Sequence, residues 1–580
     1  MSLNAPPPPY SQQTPANDSL RHSTETPVAE SVATASPQTT QITQVTQDSL
    51  GRYFSSNTAG SEKILIIETD LYVAEVTTHG GLIRKWLLKD YKTWDQQPVQ
   101  LVEFEAGGDF SLLFTSSDGK LINTRSLSFH ANFSPWQRIV LARTDTYRLD
   151  FSFMTTNGGI IKKTLTFAGN SYSFDVDIAM EKMEDVISGY EYQVVWENGL
   201  RYTEHNSVDE SSFAAAYAYA GKELAEIDAA KHAEPEHSDI SGTTGWVATR
   251  TKYFATAILP KNTETQGAYI GGVAHKMPDN GTRESYTIGL RIPYRGNQDR
   301  EAHFIVFLGP LDFDIIKSFH ADLDQIMSLG ATWVIRPIAE WVMIPLFQLL
   351  RAIIPNYGIV IVVFSIIIKL ALYPLTKSSM KSMKKMQALQ PMMEEIREKY
   401  KEDPQKMNRQ IMQLYKEYGV NPAGGCLPML LQLPILYALW AVFRSAIELR
   451  QASFVWWIND LSIPDVITKL PFHIPIFGIQ EISGLALLMG ITMFIQQKMT
   501  VKDPRQKMMV WMMPVMLTLL FNSFPAGLNL YYFVFNLLSI GQQFWVNKQQ
   551  GDGPPRKVEV KKKAGGFMNR LTKDLPKLKR

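Results

Sequence analysis

The chain has 580 residues, 45% of them hydrophobic and 20% charged, so it is too long for one hydrophobic core and predicts several structural units. The net charge of +2 conceals a division, because residues 1–376 hold 30 basic and 42 acidic residues whereas residues 377–580 hold 28 basic and 14 acidic residues. The single cysteine, Cys426, excludes an intrachain disulfide and any metal site built on clustered cysteines.

Residues 1–50 are rich in Pro, Ser, Thr and Gln and contain no apolar run. A segment of this composition cannot bury enough apolar surface to offset the entropy lost on ordering. We therefore expect residues 1–50 to form a disordered linker. They contain neither a signal peptide nor an anchoring span.

Residues 51–330 are predicted to form a large, water-soluble antiparallel β-sandwich. Short segments with period-2 alternation, such as Leu71–Val76 and Tyr147–Phe153, lie between clusters of Gly, Asn and Asp. Helical patterns occur only near Ser212–His232 and Phe313–Ile326. The fold class expected for this half is therefore all-β.

The hydrophobic pattern changes at residue 331. Residues 331–356 mix apolar residues with Arg336, Glu340 and Arg351, which is typical of an amphipathic helix at a membrane surface. Residues 357–546 then carry apolar stretches close to the length that crosses the hydrocarbon region of a bilayer. Five transmembrane helices are predicted, at Tyr357–Leu375, Gly424–Phe443, Leu485–Gln497, Met508–Phe524 and Leu528–Val546.

The connection between the first two predicted spans, residues 377–418, is predicted to be a helical hairpin that turns at Asp403 and Pro404. Apolar residues at helical spacing mark both arms, for example Met383 and Met386 on the first. Two interpretations stay open. In one the arms pack against each other, in the other they offer a docking surface to a partner, and the two are compatible.

The distribution of Lys and Arg predicts the orientation in the membrane. Residues 377–418, 498–507 and the tail 547–580 hold ten, four and eleven basic residues, whereas residues 447–483 and 522–527 hold two and none. By the positive-inside rule the first three segments are cytoplasmic, and the acidic β domain lies outside. Export of that domain needs a signal, so we expect an anchoring span upstream of this chain or a misassigned start codon.

The predicted spans contain no histidine and no carboxylate, and the sequence has no GxxxxGK[ST] motif. A serine protease, a proton relay and an ATP-driven pump therefore lack the residues that they need. We expect no catalytic residue, no metal, no cofactor and no small-molecule substrate.

One charged residue, Lys369, lies inside a predicted span, six residues before Leu375. In one interpretation its apolar stem lets the ammonium group reach the cytoplasmic headgroups. In the other it faces a hydrated groove, because a lipid-facing charge is costly, and Ser365 extends the same polar face one turn earlier. Polar residues of other spans that complete such a groove are Gln432, Asn529, Tyr531 and Tyr532. Single polar residues also serve as contacts between helices.

Several motifs resemble the YidC family of membrane protein insertases, the bacterial branch of the YidC/Oxa/Alb insertases. In the second half they are Lys369–Thr376, Lys385–Pro391, Leu414–Pro428, Gln432–Pro434 and Phe524–Tyr532, and in the β domain Thr78–Ile83 and Gly309–Asp312. The resemblance extends over about residues 62–548.

The resemblance implies a periplasmic β-supersandwich followed by an α-helical transmembrane bundle of five core spans around a polar groove. The positive charge of the groove, commonly Arg in the family, corresponds to Lys369, and the substitution loses the guanidinium fork. Substrate contacts correspond to Ser365, Leu436, Leu520 and Tyr532. The implied function is non-covalent insertion and folding of nascent transmembrane helices in the bacterial inner membrane, alone or with the Sec translocon.

The expected partners are nascent membrane proteins, the lipid bilayer, the Sec translocon with its accessory subunits, and the ribosome. The basic tail suits ribosomal RNA through attraction to phosphate, although a tail held near anionic lipid explains the same charge. Two other classes stay open. One is a membrane-anchored periplasmic carbohydrate-binding or mutarotase-like protein, since the supersandwich resembles that fold, and the other is a channel or carrier.

Overall fold

A computed structural model describes most of the chain. The described residues are 50–54, 60–232, 234–277, 281–296, 301–331, 333–420, 427–474, 478–500 and 507–549. The chain divides into two units, residues 1–46 and 47–580, and all described residues belong to the second. The predicted linker, apart from Leu50, and the basic tail beyond residue 549 lie outside the described residues.

The first half of the described chain is built almost entirely of β-strands. They are β1 (Ile64–Glu68), β2 (Tyr72–Thr77), β3 (Leu82–Lys92), β4 (Pro98–Gln100), β5 (Ser111–Thr115), β6 (Leu121–Asn123), β7 (His130–Ala131), β8 (Gln137–Val140), β9 (Thr146–Met154), β10 (Ile160–Ala168), β11 (Ser173–Glu181), β12 (Glu191–Trp196), β13 (Ala215–Ala220), β14 (Glu223–Ile227), β15 (Glu236–Ser241), β16 (Thr244–Arg250), β17 (Phe254–Pro260), β18 (Gly267–Lys276), β19 (Thr282–Pro293) and β20 (Ala302–Pro310).

These strands form three sheets, with the orders β4-β3-β2-β1-β8, β14-β13-β16-β17-β20-β11-β10-β9-β7 and β15-β18-β19-β12-β5-β6. The pairs are antiparallel except β1 with β8. The nine-stranded sheet packs against the six-stranded sheet through β13 and β16. It meets the five-stranded sheet where Trp86 of β3 lies 5.6 Å from Phe174 of β11, measured between ring centres. The prediction of an all-β sandwich is confirmed.

The prediction of a helix near Ser212–His232 is wrong. Strands β13 and β14 occupy this segment and pair as a hairpin across Gly221 and Lys222, which both have positive φ, +59° and +69°. Positive φ at both central residues is the geometry of a tight two-residue hairpin turn. The Ala and Glu residues that favour a helix are overridden by pairing with β16. The second predicted segment is helical at Phe313–Lys317 and Leu323–Ile326.

Helices dominate the second half. The α-helices of the described chain are α1 (Gly51–Phe54), α2 (Ser207–Ser211), α3 (Phe313–Lys317), α4 (Ile335–Ile338), α5 (Ile344–Ile353), α6 (Tyr357–Ala371), α7 (Tyr373–Ala388), α8 (Gln390–Lys399), α9 (Pro404–Glu417), α10 (Leu427–Ser445), α11 (Gly484–Thr500), α12 (Lys507–Phe521) and α13 (Ala526–Gln549). A π-helical turn, Ala339–Met343, joins α4 to α5, so the predicted amphipathic segment is helical. Short 3-10 helices lie at Phe104–Ala106, Thr124–Ser126, Ala229–Lys231, Leu323–Ile326 and Ile447–Leu449.

Helices α6, α10, α11, α12 and α13 coincide with the five predicted spans. The first span was expected to continue to Leu375, but α6 ends at Ala371, and Pro374 lies in the first turn of α7. Proline lacks a backbone N–H and clashes with the preceding turn, which explains the break. By length and apolar composition, none of the described helices qualifies singly as a membrane span, whereas Tyr357–Ala371 and Thr376–Ala388, bent by 66°, qualify as a pair.

Helices α7, α8 and α9 form the predicted hairpin. Asp403 caps α9 by accepting a hydrogen bond from the backbone N–H of Lys406 at 3.0 Å, and Pro404 is the first residue of that helix. The arms share a small buried cluster of Leu389, Tyr418 and Val420. These contacts support the interpretation in which the arms pack on each other, which leaves a docking surface for a partner equally open. Helix α7, in which the first arm lies, begins at Tyr373.

A second hairpin, which the sequence analysis did not predict, precedes α11. Its strands are β21 (Val466–Ile474) and β22 (Ile479–Ser483), and they form a separate two-stranded sheet. Residues 475–477 lie outside the described residues.

Candidate functional site

Lys369 lies in the last turn of α6 and is 6% exposed. Its Nζ donates a hydrogen bond to the Ser539 hydroxyl of α13 at 2.5 Å and lies 4.3 Å from the centre of the Phe535 ring. Ser539 in turn donates to the carbonyl oxygen of Phe535 at 2.8 Å. The partners of the ammonium group among the described residues are thus a hydroxyl and an aromatic face, and no described carboxylate pairs with it. The charge points into the contact between α6 and α13.

Ser365 lies one turn before Lys369 and is fully buried. Its hydroxyl donates to the carbonyl oxygen of Ile361 at 2.7 Å, so its proton is used within α6. The hydroxyl oxygen remains able to accept a hydrogen bond, since a serine carries one donor and two acceptor sites. Ser365 is thus a polar atom of the α6 face rather than a donor to a neighbouring helix.

Helix α13 carries a buried polar face. Its members recur at spacings of three and four residues: Asn529, Tyr532, Asn536, Ser539 and Gln543. Such spacing places the side chains on one side of a helix. Four buried polar atoms of this helix, Asn529 Oδ1, Tyr531 Oη, Tyr532 Oη and Asn536 Nδ2, have no hydrogen-bond partner among the described residues. Buried polar atoms without a protein partner commonly bind water or a ligand.

The remaining predicted residues lie on other helices. Gln432 and Leu436 of α10 are half-buried, and Leu520 of α12 is 46% exposed. No hydrogen bond or ion pair joins these three side chains to Lys369 within the described part of the chain. The ring of Tyr532 contacts Phe521, beside Leu520, with ring centres 5.3 Å apart. Lys369 and Ser365 therefore lie on α6 and both tyrosines on α13, while Leu436 and Leu520 lie on the separate helices α10 and α12.

Sequence reasoning missed Ser539, Phe535 and Asn536. The signal was present, because the polar residues of the last span recur with helical spacing around Tyr532. The contact of Ser539 with Lys369 was hidden because the two residues are 170 positions apart in the sequence.

The C-terminal end of α10 is tied to the β domain. Arg444 pairs with Asp209 at 3.1 Å, and Asp209 also pairs with Lys252 at 2.7 Å. Burial raises the pKa of Asp209, but Lys252 and Arg444 outweigh burial and hold it below its usual value. Arg450, after α10, pairs with Glu204 at 2.7 Å and is 9% exposed.

The connections with few basic residues lie at the same end of the helices as the β domain. The backbone N–H groups of Ala526 and Gly527 donate to the carbonyl oxygens of Ile463 and Leu461 at 2.8 and 2.9 Å. The basic connections meet elsewhere, since Lys384 of α7 donates to the carbonyl oxygen of Asn547 at 2.9 Å. By their contacts the connections therefore fall into two groups.

Comparisons with known proteins agree on both halves. Residues 65–342 match the family model described as the YidC periplasmic domain, and residues 349–552 match that of the 60Kd inner membrane protein. These matches define an inner-membrane protein with a periplasmic domain.

Similar proteins include the membrane protein insertase YidC of Chlorobium limicola, 39% identical over 531 residues that cover 90% of this chain and 89% of the relative. That of Chloroherpeton thalassium is 40% identical over 493 residues, 84% of this chain and 83% of the relative. The crystal structure of an active YidC insertase with its first transmembrane domain resolved is 20% identical, covers 84% of this chain and 93% of its own, and gives a TM-score of 0.35. The chain belongs to the YidC family of membrane protein insertases.

Proposed function

We propose that this protein inserts nascent transmembrane segments through a polar groove between α6 and α13, with Lys369 as the positive charge. The observation that carries the proposal is the incomplete pairing of Lys369. An ammonium group has three N–H donors, and the described structure supplies one hydroxyl acceptor and one aromatic face. A buried charge of this kind has capacity to bind a carboxylate.

An acidic residue beside the entering helix exchanges with Ser539 as the partner of Lys369. Charge-assisted hydrogen bonds are shorter and stronger than bonds between neutral groups, so this exchange is favourable. Tyr531, Tyr532 and Asn536 offer further polar atoms to the backbone and polar flanks of the segment. The groove thereby replaces part of the hydration that the flank loses on entry.

The segment then leaves sideways into lipid. Leu436 and Leu520 provide an apolar path, and the lipid accepts a helix because its backbone hydrogen bonds are satisfied internally. No covalent bond is made or broken, in keeping with a family of insertases rather than enzymes. The substrates are nascent membrane proteins and the medium is the inner membrane.

We propose the multi-pass topology of the sequence analysis, with the tail 547–580 in the cytoplasm. Supporting it are the charge of the connections and their contacts at opposite ends of the helices. The proposed division is a linker 1–50, a periplasmic domain 51–330, an interfacial helix 331–356, a core 357–546 and the tail. The tail approaches the ribosome through its eleven basic residues. Cooperation with the Sec translocon is proposed from family membership.

Reconstitution tests the insertase function. Purified protein in vesicles receives a radiolabelled single-span substrate with one acidic residue beside its apolar segment, and protease protection scores insertion. The expected result is protection that depends on the protein and falls when the acidic residue is replaced by Lys. Equal protection in vesicles without the protein would contradict the proposal.

Cysteine labelling tests the topology. In a Cys426→Ser background, Val140→Cys in β8 should react with an impermeant maleimide in intact cells, whereas Lys563→Cys in the tail should not. Labelling of the tail alone would reverse the orientation.

A further inference from the structure

An exposed apolar surface surrounds β21 and the loop before it. Phe472, Ile467 and Val466 of β21 are 60%, 48% and 38% exposed, and Trp456 is 84% exposed. Trp456 stacks on Trp457 with ring centres 5.8 Å apart. We call the segments Val455–Ile474 and Ile479–Ser483 the outer foot. Contiguous exposed apolar residues of this kind mark a surface that binds something other than water.

The outer foot is anchored at the beginning of α11. The Asp465 carboxylate accepts hydrogen bonds from the Leu485 backbone N–H at 2.7 Å, from the Trp457 indole N–H at 2.9 Å and from the Ser483 hydroxyl. The Gly484 N–H donates to the Asp465 carbonyl oxygen at 3.1 Å. Since α11 coincides with a predicted span, this network fixes the outer foot at the level where that helix starts, on the side of the β domain.

The exposed surface of the outer foot continues onto α11. Leu487, Ile491 and Ile495 are spaced by four residues and are 41%, 56% and 42% exposed. A stripe of exposed aliphatic residues along a membrane helix faces lipid. One apolar surface therefore runs from Phe472 and Trp456 to the flank of α11, which identifies its partner as lipid.

The hairpin formed by β21 and β22 cannot lie in the hydrocarbon interior of the bilayer. Two-stranded sheets have two edges of unpaired N–H and C=O groups, and such edges do not occur against hydrocarbon. A lone two-stranded hairpin is also marginally stable in water. The headgroup region suits such a hairpin for two reasons. Water and headgroups can form hydrogen bonds with the backbone groups at the strand edges, and the apolar side chains can reach the acyl chains. Tryptophan is enriched at that boundary for the same reason.

Charge does not drive this contact. The only charged side chains of the described outer foot are Asp460, Asp465, Lys469 and Glu481, and Lys469 pairs with Glu481 at 2.6 Å. A surface with an acidic balance gains nothing from anionic lipid. Burial of apolar and aromatic area must supply the attraction.

We propose that the outer foot lies in the headgroup boundary of the outer leaflet and holds the outer ends of α10 and α11 against that boundary. This inference rests on the proposed topology but not on the groove mechanism, because it concerns a different surface and a different ligand, the phospholipid of the outer leaflet.

The experiment places a fluorophore at single cysteines in a Cys426→Ser background, at Phe472→Cys and independently at Trp456→Cys. The full chain is reconstituted in phosphatidylcholine vesicles, and the quenchers are iodide in water and lipids with a nitroxide near the headgroup or near the acyl-chain end. Val140→Cys, an exposed apolar position of β8, is the control for water, and Ile491→Cys of α11 is the control for hydrocarbon.

At both outer-foot positions we expect quenching by the shallow nitroxide severalfold above that by the deep one, and iodide quenching severalfold below that at Val140→Cys. Neither value should change with added salt or anionic lipid. Quenching like that of Val140→Cys would place the outer foot in water and overturn the inference. Protection from every quencher would mean a protein partner, and quenching like that of Ile491→Cys would mean immersion in hydrocarbon. Each of these also overturns it.

Discussion

Both halves of the molecule bury lysine side chains, and Lys163 of the β domain differs from Lys369 of the helical half in what surrounds its ammonium group. In the β domain, the Lys163 Nζ donates to the carbonyl oxygens of Phe110 at 2.7 Å and Gly81 at 2.9 Å, with that of Gly80 at 3.4 Å. In the helical half, Lys369 has one hydroxyl acceptor and one ring among the described residues. Both side chains are nearly inaccessible, at 0% and 6% exposed.

The difference separates a structural lysine from one that is available for binding. In its protonated form Lys163 directs its three N–H donors to three carbonyl oxygens, so it joins β10 to the backbone around Gly81 and Phe110 and has no capacity for a ligand. Lys369 retains donors. Burial alone therefore does not identify a functional charge, and the number of acceptors around it does.

The largest effect is expected from Lys163→Met. The substitution keeps an apolar stem but leaves buried carbonyl oxygens without a donor, which costs about 3 kcal/mol or more of unfolding free energy. Chemical denaturation of the β-sheet signal measures it. Insertion by the molecules that remain folded should show the parent's preference for acidic substrates, and a changed preference would contradict the structural role.

The pH dependence of stability tests the same residue. Burial lowers the pKa of Lys163 to about 7, with Arg125 adding to the effect and Asp109 opposing it. The unfolded chain keeps this proton up to about pH 10.4, so between these values it binds more protons than the folded state and stability rises with pH. The contribution is about 1.4 kcal/mol per pH unit. The slope should be smaller in Lys163→Met, and equal slopes would mean that Lys163 keeps its proton.

Substitutions at Lys369 should change substrate preference rather than folding. Lys369→Arg retains insertion, Lys369→Ala impairs acidic substrates, and Lys369→Glu impairs them most because attraction becomes repulsion. The change is about 1 kcal/mol at ~4 Å in water and larger in a drier groove. Insertion of paired substrates that differ only in flanking charge measures it.

A matched control addresses the interpretation in which Lys369 reaches the headgroups. Leu370 is 66% exposed, so Leu370→Lys in the Lys369→Ala background restores a lysine that points away from α13. Recovery of insertion in this double variant, without regard to substrate charge, would contradict the groove mechanism.

The smallest effect is expected from Ser539→Ala. Removing the resident acceptor leaves Lys369 freer to bind a carboxylate, so the ratio of acidic to neutral substrates inserted rises by the equivalent of about 0.5–1.5 kcal/mol. Ser539→Thr keeps the hydroxyl and is the control. A fall in this ratio would show that Ser539 positions Lys369 for substrate instead of competing with it.

The sequence predicted the fold where side-chain periodicity decides it. Period-2 alternation located the β domain, and apolar length located α6 and α10 to α13. The sequence-based prediction failed at β13 and β14, because their alanine residues favour a helix. The tight turn at Gly221 and the pairing of the strands make this segment a β-hairpin instead. The hairpin of β21 and β22 was missed because β21 is exposed on both sides, so buried and exposed residues do not alternate along it.

The candidate site was predicted only in part. Lys369 was found because a charge inside an apolar run is conspicuous, and Tyr532 because it belongs to a family motif. Ser539 and Phe535 were not found, since a contact across 170 positions depends on how α6 packs against α13. Nor does the sequence reveal that the Ser365 proton is used within its own helix.

The ion pairs between α10 and the β domain give that helix a fixed end. Arg444 and Arg450 hold its outer end to Asp209 and Glu204 at 3.1 and 2.7 Å. A helix held at one end moves most at the other, so any swing of α10 is smallest beside the β domain and grows toward the N-terminal end of the helix. Gln432 lies about 18 Å before Arg444 along the axis, at 1.5 Å per residue, and travels farther than residues near the pivot. In the proposed topology this free end of α10 is the cytoplasmic end, from which substrates arrive.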